Sequence, residues 1–320
     1  MRILGTGRYL PENTLSNEDL SKFVDTNDEW IVSRTGIKSR SVATDENTSD
    51  LAIKAAKLAL ENADVKASDI QLIVVATSTP ETFLPGVSHQ VLKAIQTHKA
   101  MAFDLNAACT GFVYGMDVAM SLMRIHDFRY ALVIGSEVLS KIIDWDDRNT
   151  CVLFGDGAGA VVLEYVPDKV QLLYSRCIAI PDVDDVLCTN EIVVHNPLNQ
   201  SVQSPVYLNM KGQDVFKFAV RVVCESVNEA LSETGLRIHE IDYFILHQAN
   251  HRIIDYAAKK LGVSTEKFYS TIEATGNTSA ASIPIVLDKM NEENLLNKGM
   301  KLALVGFGAG LTYGIMLMEW

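Results

Sequence analysis

The sequence lacks several features that would narrow its class at once. None of its apolar runs reaches the about 18 residues that a transmembrane helix needs. The opening Met1-Arg2-Ile3-Leu4-Gly5-Thr6-Gly7 reads as a short strand and turn, not as the apolar core of a secretory signal, so a cytoplasmic location is expected. Low-complexity segments are absent, which argues against disorder. Cysteine is scarce: five residues, at 109, 151, 177, 188 and 224, with no C-x-x-C spacing. That excludes the common zinc and redox motifs and predicts free thiols in a reducing compartment. Positive charge is also short, with 28 Lys and Arg against 40 Asp and Glu, a net charge of −12. A nucleic-acid partner is therefore not expected, and neither is a membrane. His89, His98, His126, His195, His239 and His251 form no cluster, and no metal site is expected.

What is present is ample core. The chain has 320 residues, 48% hydrophobic and 21% charged, enough for one large domain or two fused halves. Apolar runs fall into two sets: 70–76, 101–105, 130–135 and 158–165, then 241–246, 268–272, 301–306 and 311–318. Matching runs lie about 170 residues apart, which suggests an internal duplication. Helical patterns lie between them, at 49–62 and 214–233. Strands alternating with helices predict an α/β fold, and runs such as Leu72-Ile73-Val74-Val75-Ala76 predict a sheet buried on both faces. The seam is expected near Pro167-Asp168, dividing the chain into 1–168 and 169–320. Residues 181–205 are polar, hold three prolines and show no period, which suggests a lid or a subunit contact.

One cysteine has a special setting. The strand at 101–105 runs into Asn106-Ala107-Ala108-Cys109-Thr110-Gly111, and a helical pattern begins at Gly111. A sulfur at a helix N-terminus is predicted to favour thiolate, and small neighbours leave room for a substrate. Two further strand ends carry candidates: His247 in Leu246-His247-Gln248-Ala249-Asn250, and Asn277 in Gly276-Asn277-Thr278-Ser279-Ala280-Ala281-Ser282. α/β enzymes place chemistry at such ends. Asn277 lies close to the position that matches Cys109 in the duplication. The loop 154–160, Phe-Gly-Asp-Gly-Ala-Gly-Ala, leads into a strand, so it is not a dinucleotide fingerprint. The loop Gly306-Phe307-Gly308-Ala309-Gly310 also precedes a strand, and an N–H from it, with that of Cys109, suits an oxyanion hole.

Together these residues resemble β-ketoacyl-acyl carrier protein synthase III, a condensing enzyme of the thiolase superfamily. The resemblance also takes in Asn27-Asp28-Glu29-Trp30-Ile31, Arg34-Thr35-Gly36-Ile37, Asp147-Arg148, and Gly212 with Val215-Phe216-Lys217, and runs nearly end to end. It implies a thiolase-like layered αβαβα fold of two duplicated halves. It implies acyl transfer from a short acyl-CoA to Cys109, then decarboxylative condensation with malonyl-acyl carrier protein, assisted by His247 and Asn277. The oxyanion hole falls to Cys109 and Ala309. CoA and substrate contacts fall to Trp30, Arg34, Arg148, Gly212, Phe216, Asn250, Leu84 and Phe307. Carrier-protein contacts fall to Lys217, Gln248, Ala249, Asn250, Arg252, Lys259 and Lys260, a local basic patch on an acidic protein. A homodimer is implied, and no cofactor.

Two positions depart from the family pattern. Leu84 stands where many members of the family have a phenylalanine that reaches the partner subunit's acyl pocket, so acyl-length preference is expected to differ, and Ala309 stands where many have glycine; the backbone N–H at 309 survives. Competing readings are a Cys-His-Asn peptidase or amidase, a paralogue with another acyl group or product, and a non-catalytic acyl-CoA binder. The duplication and the Trp30 and Arg148 settings disfavour the peptidase; the intact Cys-His-Asn set disfavours the binder.

Overall fold

The computed structural model describes residues 1–167 and 171–320. The seam expected at 168/169 lies outside the described residues. Around it the two halves repeat one plan. The first sheet runs Arg2–Tyr9, Gly157–Glu164, Tyr130–Glu137, Leu72–Ala76, Met101–Leu105 in spatial order. Its successive pairings are antiparallel, antiparallel, parallel, parallel. The second runs Leu172–Ala179, Thr312–Glu319, Lys301–Gly308, Tyr243–Leu246, paired antiparallel, antiparallel, parallel.

The second sheet is one strand short of expectation. The apolar run 268–272, the expected match of Met101–Leu105, makes no ladder. Phe268 instead stacks on Phe244, with ring centroids 4.9 Å apart. The Gln248 side-chain oxygen accepts from Ser270 Oγ at 2.6 Å and Thr271 N–H at 3.2 Å. A side chain thus takes the place of a neighbouring strand, and Ile272–Thr275 turns helical.

Alternating residues on each strand sort into different cores, which defines the layers. Leu72, Val74, Ala131 and Val133 face inward, together with Leu302, Leu304, Met316 and Met318 from the other sheet. Between them lie two helices, Gly111–His126 and Ser282–Glu292, giving Phe112, Met116, Ile283 and Val286 to the shared core. Ile73, Val75, Leu132 and Ile134 face outward onto Thr48–Ala63 and Val87–Ala94. Phe244, Leu246, Ala303 and Val305 face outward onto Gly212–Thr234 and His251–Leu261. The result is the expected five-layer αβαβα arrangement.

Local signals set the helix ends. Asn47 and Asp50 form a capping box at Thr48–Ala63, and Gly235, at φ 70°, ends Gly212–Thr234. The first strand is tied to the second half as well as to the first. Thr6 Oγ1 donates to Asp288 Oδ1 at 2.7 Å, and Arg8 Nη1 donates to Asp288 Oδ2 at 2.6 Å.

The 181–205 excursion has two parts. Its base pairs Leu187–Thr189 with Leu208–Met210 and walls the main cavity. Its tip is a small hairpin of His195–Asn196 and Asn199–Gln200, with Leu198 97% exposed.

Candidate active site

A cavity of about 900 Å³ opens where the strand ends of both sheets meet. Cys109, His247 and Asn277 all line it, as do Phe307 and Ala309. The structure therefore brings together the three residues that the sequence leaves far apart.

Each is held by its own local device. A turn of 3₁₀ helix, Ala108–Thr110, presents Cys109 just before the Gly111–His126 helix. Its counterpart is the 3₁₀ turn Ser279–Ala281, which precedes Ser282–Glu292. Asn106 Oδ1 accepts from Ala108 N–H at 3.1 Å, and Asn277 Oδ1 accepts from Ser279 N–H at 2.9 Å. Ala108 and Ser279 share a left-handed backbone, φ 45° and 49°. Asn277 is thus the counterpart of Asn106, and Ala280 that of Cys109; this sharpens the looser match expected from sequence. With its oxygen occupied, the Asn277 amide keeps its N–H groups for the cavity.

The glycine-rich loop after Leu153 acts as a clamp. Asn277 N–H donates to Leu153 O at 2.8 Å, and Gly155 N–H donates to Asn277 O at 3.0 Å. His247 is buried, with Nδ1 2.8 Å from Ser282 Oγ and its ring edge-on to Phe307 at 5.1 Å. The loop after Phe307 passes directly over Cys109. A Cβ on Gly308 would stand 2.9 Å from both the Cβ and the N of Cys109. Thr312 Oγ1 holds that loop in place, 2.9 Å from Ala309 O and 3.3 Å from Ala107 O. The backbone at Gly308 therefore passes close over Cys109, and Ala309 next to it lines the same cavity.

The electrostatics correct one expectation. Burial pushes the Cys109 thiol up to about 12, against the helix terminus, which favours thiol over thiolate. Burial also lowers His247 to about 3, so its imidazole is neutral.

The mouth has a different character. The Arg34 and Arg148 guanidinium groups lie 4.8 Å and 5.3 Å from the Trp30 ring centre. Lys217 and Arg252 complete a cationic rim. A flat indole with two guanidinium groups suits an aromatic, phosphorylated ligand.

A family profile described as 3-oxoacyl-[acyl-carrier-protein (ACP)] synthase III matches residues 103–179, and its C-terminal counterpart matches residues 231–320. The chain is 46% identical over 322 residues to the β-ketoacyl-[acyl-carrier-protein] synthase III of Clostridium acetobutylicum, covering 100% of this chain and 98% of that protein. The chain belongs to this family.

The Clostridium novyi synthase III is 49% identical over 321 residues, covering 100% of this chain and 99% of the other. The crystal structure of the Aquifex aeolicus synthase III superposes with a TM-score of 0.92 at 41% identity, covering 100% of this chain and 99% of that one. A priming β-ketosynthase from the R1128 polyketide biosynthetic pathway superposes with the same score, 0.92, at 34% identity, over 99% of this chain and 95% of that one. Synthase III enzymes are acyltransferases of the condensing type.

The contacts that the family resemblance implies fall into three groups. Trp30, Arg34, Gly212, Phe216, Asn250, Ala249, Lys217 and Arg252 line the cavity or its rim. Asn250 also works as a brace: its oxygen caps His251–Leu261 through Arg252 N–H at 2.9 Å, and its amide donates to Arg34 O at 3.0 Å. Arg148 reaches the rim through Trp30 and donates to Asp25 O at 2.9 Å. Lys259 and Lys260 sit in the last turn of that helix, about 10 Å along the axis from Arg252. They are exposed but stand back from the mouth.

One assignment is overturned. Gln248 is fully buried, donating to Leu246 O at 2.7 Å besides accepting from Ser270 and Thr271, so no partner protein can touch it. Leu84 is 89% exposed and lies outside the cavity of its own chain, where a residue that reaches a partner subunit's pocket would stand. Among the described residues no group of His, Cys, Asp or Glu is arranged to hold a metal ion, and no helix is long and apolar enough to cross a membrane.

Sequence reasoning misses Ser282, Thr312, Ser279 and Glu137. Glu137 ends the Tyr130–Glu137 strand at the same edge as Cys109 and His247, and a carboxylate at that place is the available signal.

Proposed function

We propose that this chain condenses a short acyl-CoA, acetyl-CoA in the first instance, with malonyl-acyl carrier protein, and so starts type II fatty acid synthesis. The observation that carries the reading is one cavity with two ends. Cys109, His247, Asn277 and the Gly308–Ala309 backbone stand at the inner end; Trp30 and its two arginines stand at the mouth.

The sulfur of Cys109 attacks the thioester carbonyl, and the oxyanion rests on the N–H groups of Cys109 and Ala309. The carbon–sulfur bond to CoA breaks and leaves an acyl-cysteine. Malonyl-acyl carrier protein then docks against Arg252 and Lys217. His247 and Asn277 donate hydrogen bonds to the malonyl thioester oxygen and stabilise the enolate formed as CO2 departs. Donation from His247 Nε2 requires that Ser282 donate its proton to Nδ1, which the 2.8 Å contact permits. The carbanion attacks the acyl-cysteine and releases the 3-oxoacyl product. No step calls on a metal or a redox cofactor. Cytoplasmic location and a homodimer belong to the same reading; in the dimer, the exposed Leu84 loop would meet the partner.

Incubation with labelled acetyl-CoA and malonyl-acyl carrier protein tests the reading. It stands if labelled 3-oxoacyl-carrier protein forms and Cys109→Ala forms neither product nor acyl-enzyme. It falls if the wild type makes no condensation product. The likeness to a priming ketosynthase favours a second reading, in which the acyl group is longer or the product specialised. A series of acyl-CoA chain lengths separates the two.

A further inference from the structure

Arg40 lies on the short strand Ser39–Ser41, and its side chain is fully buried. The scheme above does not use it. Its partners are all neutral: Nη1 donates to Leu15 O at 3.0 Å, and Nη2 donates to Asn17 Oδ1 and to Val152 O, each at 2.9 Å. Its Nε has no partner among the described residues. Burial lowers the guanidinium only to about 10, so it stays a cation at neutral pH. Burial pushes the nearby Cys151 thiol up to about 11, so that group supplies no counter-charge. A buried cation without a counter-charge is costlier than an apolar side chain of like volume. What the charge accomplishes is read from its three acceptors.

One acceptor adjoins Asn277. Val152 O receives Arg40, and the next carbonyl, Leu153 O, receives Asn277 N–H at 2.8 Å. Phe154 and Asn277 form an isolated parallel bridge, and Gly155 N–H returns to Asn277 O at 3.0 Å. The stem of Arg40 lies against both sides of this clamp: a Cβ on Gly155 or on Gly276 would stand 3.1 Å from the Arg40 Cβ. Asp156 N–H, one place on, donates to Ser41 O at 2.8 Å. Another acceptor leads toward the mouth. Asn17 Nδ2 donates to Asp28 Oδ1 at 2.8 Å, and Asp28 opens the helix Asp28–Thr35 that carries Trp30 and Arg34.

We infer that Arg40 is a positioning residue for condensation, holding the 152–155 segment that fixes Asn277 in the cavity. The inference rests on the condensing reaction proposed above. A charged donor holds a carbonyl at shorter range and more strongly than a neutral one. The enolate oxygen gains full benefit only from a donor within about 0.5 Å of its productive place. An apolar side chain at position 40 would leave the carbonyl of the buried Val152 without its donor, and the clamp would loosen. The Cys109 turn has other supports, Asn106 on Ala108 N–H and Thr312 on Ala107 O, so acylation does not depend on Arg40.

The test separates the two half-reactions. The CoA burst from saturating acetyl-CoA reports acylation, and its amplitude counts working sites. Loss of label from the acyl-enzyme on adding malonyl-acyl carrier protein then reports condensation per acylated site. Arg40→Met should slow condensation by about ten- to a hundredfold and leave the burst rate nearly unchanged. Arg40→Lys keeps the charge, but one nitrogen cannot span the three acceptors, so its condensation should fall between wild type and Arg40→Met. Because Arg40 acts through Asn277, Arg40→Met joined to Asn277→Ala should condense within about twofold of Asn277→Ala alone. A merely structural role would slow both half-reactions alike or add its full loss to that of Asn277→Ala, and either result overturns the inference. Condensation at the wild-type rate in Arg40→Met overturns it too. If Arg40→Met does not fold and gives no burst, Arg40→Lys decides: a selective fall in condensation sustains the inference, and an equal fall in both steps or in neither overturns it. All these failures leave the condensing reading in place. No condensation product from the wild type overturns that reading and the inference with it.

Discussion

The two turns that precede the central helices have nearly the same backbone and opposite jobs. Asn106 to Cys109 in the first half and Asn277 to Ala280 in the second share an asparagine that accepts from the residue two places on, a left-handed third residue and a following helix. Chemistry divides them through side chains alone. The first carries sulfur; the second carries alanine there and uses its asparagine instead. The strand ends that cross them differ in the same way. Gly308 crosses Cys109 with no side chain, because a Cβ there would stand 2.9 Å from the cysteine. Glu137, at the matching strand end of the first half, carries a full carboxylate to Ser279. A duplicated scaffold thus presents a cysteine at this turn in one copy, and in the other an alanine with its asparagine turned to the cavity.

The comparison can be broken most sharply at Cys109. Cys109→Ala should abolish acyl-enzyme and lower turnover by about 10⁴-fold or more, measured by labelled acetate retained on the denatured protein. The two asparagines should separate next. Asn277→Ala should slow condensation by about 10²–10³-fold, because a donor to the enolate oxygen is lost, while the CoA burst survives. Asn106→Ala loses only a turn hydrogen bond, a cost of about 1 kcal/mol, seen in denaturant unfolding with condensation nearly intact. Equal losses of condensation at the two positions would refute the division of labour. Gly308→Ala should destabilise by about 1–3 kcal/mol through overpacking against Cys109, readable as a lower Tm together with a weakened burst.

The pH profile is the gentlest of these tests. His247 has its folded pKa lowered from 6.5 to about 3, so its neutral form persists through the acid range. Condensation should show no acid limb from this imidazole near pH 6.5. The unfolded chain binds a proton there that the folded one does not, so this group lowers stability as pH falls below 6.5 and ceases to add further loss below about 3. Equilibrium unfolding at successive pH values checks the sign. A condensation rate that titrates with the ordinary histidine value would contradict the buried neutral ring.

Much of the fold and of the site is legible in the chain itself. Cys109, His247 and Asn277 are readable because each follows an apolar run, and the topology then brings the ends of those runs to one cavity. The duplication is readable because apolar periodicity survives side-chain change. Gln248 is not. It lies between His247 and Ala249 beside the cavity, and only its three-dimensional setting shows the amide turned inward to replace a missing strand. The same replacement explains the error at 268–272, where an apolar run packs its side chains without a ladder. The pairing of Glu137 with Ser279 is invisible for another reason: it joins the two halves, and no local period or spacing reports a hydrogen bond of that kind. The thiol's ionisation is misread because the helix terminus is a local feature, whereas burial belongs to the whole fold.

The first strand has a consequence for synthesis. Thr6 and Arg8 close on Asp288, so almost the whole chain must leave the ribosome before its opening segment has all its partners. Until then the inward faces of Val74, Val133 and Met116 have no second sheet to cover them. The nascent first half is therefore a sticky intermediate, and its yield should depend on how quickly translation delivers the remainder.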